Sequence, residues 1–165
     1  VLDHYIIENI NIMSSIGDIS ELSNTPLISK QNLIVGDTDG KIVSYNFFKN
    51  NIDWQFDLSQ PILNYFILSN SVSIITPNEI VFLELINGKL IKRFNHNILN
   101  PATYAIVNSN LLIQGDNSIK LFDIYDIDNR EILNIDIKNK VFNDIGYSLG
   151  SIFFKNNKNL YLLSE

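Results

Sequence analysis

Short apolar runs, three to five residues long, recur along this chain between clusters of Asn, Asp, Gly, Ser and Pro. That feature constrains the fold most, because an internal repeat fixes the architecture before any single element does. The runs include Leu33-Ile34-Val35, Lys41-Ile42-Val43-Ser44-Tyr45, Ser73-Ile74-Ile75, Ile80-Val81-Phe82-Leu83, Leu111-Leu112-Ile113 and Ile119-Lys120-Leu121-Phe122. Runs of this length bounded by turn residues predict β-strands. No stretch of twelve residues holds a clean helical period. Ile and Asn make up nearly a third of the 165 residues, and Ala is almost absent. β-Branched and aromatic residues suit strands, and Asn suits turns. The expected fold class is all-β.

The runs group into units that open at Pro26, Pro61, Pro101 and about Val141, thirty-five, forty and forty residues apart. Each unit holds about four strands, the size of one propeller blade. The expected units are 26–60, 61–100, 101–140 and 141–165, with 1–25 belonging to a preceding or closing blade of the same domain. Asp39-Gly40 and Asn87-Gly88 supply residues suited to tight hairpins. Asn50 and Asn129 stand where the second unit has Gly88, and Asn is the next-best residue for a left-handed backbone.

The first unit carries a recognisable pattern. Gly36-Asp37-Thr38-Asp39-Gly40-Lys41-Ile42-Val43-Ser44-Tyr45-Asn46, then Asn50-Asn51-Ile52-Asp53-Trp54, resembles the PQQ-like propeller repeat. Asn46 stands for its Asp, Asn50 for its Gly, and Trp54 for its closing Trp. The second unit keeps Gly88 but has Lys92 at the Trp position. The third keeps Asp123 and has Leu133 there, after a turn two residues longer. The resemblance implies a β-propeller of about four blades. Eight blades at about forty residues each would make this chain part of a larger ring. Among PQQ-like proteins, degraded repeats without cofactor residues look most like the BamB-type outer-membrane assembly lipoproteins. That likeness implies a periplasmic, outer-membrane-associated scaffold that binds other proteins, with any lipid anchor outside this chain.

The chemistry expected is correspondingly bare. The net charge is −6, and the densest basic group is only Lys89, Lys92 and Arg93, so nucleic acid is not an expected partner. There is no Cys, which removes disulfides and thiolate zinc sites. No run of eighteen apolar residues is present, and no transmembrane span is expected. Asp37, Asp39 and Gly40 form a hairpin turn rather than a calcium loop, which needs a third acid and a distal Glu. Asp123, Asp126 and Asp128 read as a solvated turn. His4 and His96 lack ligand spacing. Glu79 and Glu84, five apart on one strand, face opposite sides. Trp54 reads as a blade-packing residue, with no Cys pair beside it to plate a quinone. No catalytic residue, cofactor or metal is expected.

Phe47, Phe48 and Tyr65, near turns or blade ends, are the candidate partner surface. The alternatives are a quinone-dependent dehydrogenase-like or cofactor-binding propeller, and an intracellular WD-type adaptor or receptor sensor propeller.

Overall fold

The computed structural model describes residues 19–107, 110–125, 131–137, 142, 144–148, 151–155 and 159–163. Fifteen strands run through them in four antiparallel sheets. The first sheet holds β1 (Leu27–Ser29), β2 (Asn32–Gly36), β3 (Lys41–Asn46) and β4 (Asn51–Asp57) in sequence order. The second holds β5 (Asn64–Leu68), β6 (Ser71–Ile75), β7 (Glu79–Glu84) and β8 (Leu90–Asn95). The third holds β9 (Thr103–Val107), β10 (Asn110–Gln114), β11 (Ser118–Asp123) and β12 (Glu131–Asp136). The fourth holds β13 (Asp144–Ser148), β14 (Ser151–Lys155) and β15 (Leu160–Leu163). Every connection within a sheet is a hairpin, so the only long-range work is packing sheet on sheet.

That packing follows from side-chain alternation. Successive residues of a strand point to opposite faces, and here both faces are apolar. In the second sheet Val72, Ile74, Val81 and Leu83 face the first sheet, joining Ile34, Ile42 and Trp54. The residues between them, Ile75, Ile80 and Phe82, face the third sheet and meet Leu111, Ile113 and Phe122. Leu112, Ile119 and Leu121 then pack on Ile152 and Phe154 of the fourth sheet. The two middle strands of the first three sheets are therefore buried almost throughout. The outer strands β8 and β12 alternate between exposed and half-buried residues. Each fully buried Ile or Leu contributes about 1.5–3 kcal/mol relative to exposure, so the inter-sheet layers hold most of the stability. The innermost strands of neighbouring sheets touch one another, β1 with β5 and β9 with β13.

An irregularity repeats along with the strands. In each of the first three sheets the pairing of the third and fourth strands slips by one residue at the same point: Ser44/Tyr45, Phe82/Leu83 and Leu121/Phe122. A bulge raises local twist and bends the strand it interrupts. Three bulges in register give each outer strand the same bend.

Sheets one and two are also joined by a side-chain lock. The Trp54 indole N–H on β4 donates to the Leu85 carbonyl, 2.9 Å away, just beyond β7. Its ring lies against the Asn87-Gly88 turn. Gly88 has φ +68°, and a Cβ there would sit 2.6 Å from the indole. Glycine is needed twice over, for the left-handed backbone and for the close approach. Asn50 occupies the matching turn of the first sheet at φ 54°, as a left-handed Asn can. Asn129 lies outside the described residues.

Two substitutions test the lock by urea unfolding. Trp54→Ala is expected to cost about 3–5 kcal/mol, as large-to-small changes at buried aromatics do. Gly88→Ala should cost at least about 1–2 kcal/mol from backbone strain alone, and should shift the Trp54 emission spectrum.

Candidate functional site

The two ends of the stacked sheets differ in character. One end carries the turns between second and third strands and the links between sheets. Its residues are spent on internal bonding. The Asp37 carboxylate accepts the backbone N–H groups of Lys41 at 2.8 Å, Asp39 at 3.1 Å and Ser20 at 3.4 Å. Asp37 is thus a turn-former, and Gly40 at φ +105° lets the Gln60 backbone pass close by. Thr76 closes the equivalent turn of the second sheet by bonding both the N–H and the carbonyl of Glu79.

Buried His96 ties this end together. Its Nδ1 accepts the Ile98 N–H at 3.1 Å, which leaves Nε2–H to donate to the Thr76 carbonyl at 3.1 Å. That bonding pattern requires the neutral ring. Burial first, and the Lys120 charge as a lesser cause, push its pKa below the ordinary 6.5, against a smaller upward pull from the Thr76 bond. Lys120 itself is paired with Glu131 at 2.8 Å.

The opposite end carries the turns between third and fourth strands, and it presents apolar side chains to solvent. In the first and third sheets the last residue of the third strand prepares the turn. The Asn46 amide oxygen accepts the N–H groups of Phe48 at 3.1 Å and Lys49 at 3.0 Å. The Asp123 carboxylate accepts the Tyr125 N–H at 2.8 Å. These are Asx turns, in which a short polar side chain replaces the next backbone acceptor. In all three sheets the residue two beyond the third strand faces solvent. Phe48 is 72% exposed, Ile86 79% and Tyr125 64%. These three occupy the same turn position in three successive sheets. Phe47 stacks obliquely on Phe48, with ring centroids 5.0 Å apart. Asp53 lies below this turn, and the amides of Asn32 and Asn46 hold its carboxyl below the usual range.

Between the second and third sheets the same end opens into a groove of about 540 Å³. Phe82, Ile91 and Lys92 form one wall, and Ile124 and Tyr125 the other. The Lys92 ammonium lies 4.9 Å from the Phe82 ring centroid and 5.8 Å from that of Phe94.

Of the expected surface residues, Phe47 and Phe48 are on this end. Tyr65 is not a surface residue. It is fully buried between the first two sheets, its ring within 3.0 Å of where a Cβ on Gly36 would stand. Its hydroxyl donates toward the Asn24 and Thr25 carbonyls, and burial raises its pKa. The correction has a simple cause: β5 is an innermost strand, so Tyr65 points into a sheet-to-sheet layer. Ile86 and Tyr125 escaped sequence reading because each looks like an ordinary strand-end apolar residue. Aligning the units on the last residue of the third strand, Asn46, Glu84 and Asp123, would have put Phe48, Ile86 and Tyr125 in one column.

Glu79 and Glu84 serve separate local contacts. Glu79 binds Arg93 and Gln60, and Glu84 accepts from Asn87. Arg93 is thus engaged in an ion pair across the β7–β8 hairpin. Among the described residues, no three His, Asp or Glu side chains gather to hold a metal ion, and no helix is long and apolar enough to cross a membrane. His4, Asp126 and Asp128 lie outside those residues.

No protein-family model and no curated protein matches the chain. Solved structures do. BamB from Moraxella catarrhalis aligns with a TM-score of 0.63 and 10% identity over 84% of this chain. The computationally designed Ika8 protein aligns at 0.72 and 12% over 90% of the chain. Hsv2 from Kluyvelomyces marxianus aligns at 0.57 and 10% over 88%. The chain is a β-propeller. It spans 41% of the BamB chain, 47% of Ika8 and 48% of Hsv2. The four sheets are its blades, one within each of the intervals 26–60, 61–100, 101–140 and 141–165.

The buried histidine gives a pH prediction. Above pH 6.5 His96 is neutral folded or unfolded, and its bonds are fully available. As pH falls below 6.5 the unfolded chain takes up the proton while the folded ring resists it. Stability should drop toward the lowered folded pKa, at up to about 1.4 kcal/mol per pH unit, and then level off. Calorimetric Tm measured against pH should show this fall, and His96→Asn should flatten it.

Proposed function

We propose that this propeller is a non-catalytic scaffold that binds other proteins through the end carrying Phe48, Ile86 and Tyr125. The observation that carries this reading is the repetition itself. An exposed apolar residue stands two residues beyond the third strand in three consecutive blades. One exposed apolar residue needs no explanation, but a row of them on a single rim marks an interaction surface. Rigid turns on a packed scaffold lose little freedom when a partner docks.

The finer reading is a component of outer-membrane β-barrel assembly, acting in the periplasm beside the outer membrane with other assembly subunits as partners. Its support is the fold likeness to BamB together with the PQQ-like pattern at Gly36–Trp54.

Site-specific photo-crosslinking in the native host tests both levels. A benzophenone side chain placed at Phe48, Ile86 or Tyr125 is expected to capture a protein partner, and one placed at Asp39 on the opposite end is not. Capture of barrel-assembly subunits supports the finer reading. Capture of cytosolic proteins alone overturns it and leaves the scaffold role standing. Equal capture from both ends, or from neither, overturns the docking surface.

A further inference from the structure

The sequence holds one Asn-Gly pair, Asn87-Gly88, and it lies in the turn against which Trp54 is locked. Asn is a chemically labile side chain, and most so before Gly, whose backbone nitrogen has no side chain beside it to hinder attack. The first blade has Lys49-Asn50 at the matching turn and so lacks this chemistry. The second blade has less freedom of choice. Its turn needs φ +68° at position 88 and no Cβ within 2.6 Å of the indole, and only Gly satisfies both.

The reaction needs water alone. The Gly88 backbone nitrogen gives up its proton and bonds to Cγ of Asn87, and ammonia leaves from the side-chain amide. Water then opens the resulting five-membered imide at one of its two carbonyls. One opening leaves an aspartate at this position with the backbone unchanged. The other leaves isoaspartate, whose backbone runs through Cγ and is longer by one methylene.

In the closed turn both reacting groups are engaged elsewhere. The Gly88 N–H donates to the Glu84 carbonyl at 2.9 Å. The Asn87 Oδ1 accepts the Lys89 N–H at 2.9 Å, and its Nδ2 donates to the Glu84 carboxylate at 2.6 Å. Asn87 is exposed to water, while Gly88 is buried under the Trp54 ring. For the nitrogen to reach Cγ, these bonds must break and the glycine must move from under the indole.

We propose that Asn87 is a site of spontaneous deamidation, guarded by the closed turn and reached when the turn opens, and that its conversion releases the Trp54 lock between the first two blades. Each product has its own route to that release. The aspartate removes the donor to Glu84 and sets a second carboxylate where the hydrogen bond stood, so two like charges face each other. The isoaspartate inserts a methylene beside Gly88, where the indole leaves no room for a single added carbon. Either change displaces the turn that also carries the Leu85 carbonyl, the acceptor of the Trp54 N–H. The inference needs no partner protein and is independent of the docking surface.

The test incubates the whole chain at mildly alkaline pH and maps its peptides by a method that separates Asn, Asp and isoaspartate at position 87. Conversion should be at least about tenfold slower in the folded chain than in urea, since it waits on local opening. Glu84→Ala, at an exposed residue, removes the partner of Nδ2 and should speed conversion several-fold while the chain stays folded. Converted chain, separated from unconverted, should show Trp54 emission moved to longer wavelength. Asn87→Asp mimics one product. It should move the emission in the same direction and lower Tm by about 2–4 °C. That loss should vanish in acid, where both carboxyl groups are protonated and one can again donate.

Equal rates in the folded and urea-unfolded chain, or no conversion in either, overturn the proposal. So does converted chain that keeps the emission and Tm of the unconverted form. A Tm loss in Asn87→Asp that persists undiminished in acid overturns it as well, because the cause is then not the paired carboxylates.

Discussion

A sheet that is apolar on both faces cannot stand in water, and each of the first three blades of this chain has two such faces. Val72 and Ile74 of β6 look one way, and Ile75 looks the other. A single hairpin stack would leave half of those side chains exposed. Covering both faces requires a sheet on each side, and the solution is reapplied from blade to blade. Radial stacking also keeps the edges short, with the innermost strands meeting one another and the outer strands carrying polar residues at alternate positions. The hairpins, the matched bulges and the turn residues are all in service of that arrangement.

The same constraint explains where function can reside. Strand interiors are committed to the layers, and the turn end tied by Asp37, Thr76 and His96 is committed to holding blades in register. His96 shows how tightly: its two nitrogens bridge a turn of one blade and the link to the next, which permits only the neutral ring. The other end holds the Trp54–Leu85 bond between the first two blades, but it also turns apolar side chains to solvent. There the Asx turns of Asn46 and Asp123 consume the backbone N–H groups and push Phe48 and Tyr125 outward. An apolar side chain on a rigid turn is a stability liability that a docking role would justify. The groove beside them lies between Phe82, Ile91 and Lys92 of the second blade and Ile124 and Tyr125 of the third.

Much of the fold was legible in the linear order of residues. Strand positions, hairpin turns and a period near forty follow from apolar runs, from Asp39-Gly40 and Asn87-Gly88, and from recurring prolines. Trp54 could be read as a packing residue, and it is found locked against Gly88. The surface was legible only in part. Phe47 and Phe48 stood out because they are adjacent aromatics at a turn. Tyr65 was misread because an inner strand near a blade end looks the same, in sequence, as a rim.

The sequence by itself determined the local geometry, because strand alternation, left-handed turn residues and Asx capping act over only two to five residues. It also determined that both strand faces are apolar, and hence that sheets must be stacked. Only the tertiary structure decided which residues end up on a common rim. Phe48, Ile86 and Tyr125 are nearly forty residues apart, and what brings them together is the packing of one blade on the next. It alone also opened the groove between the second and third blades, since a groove is defined by what the facing blade fails to fill.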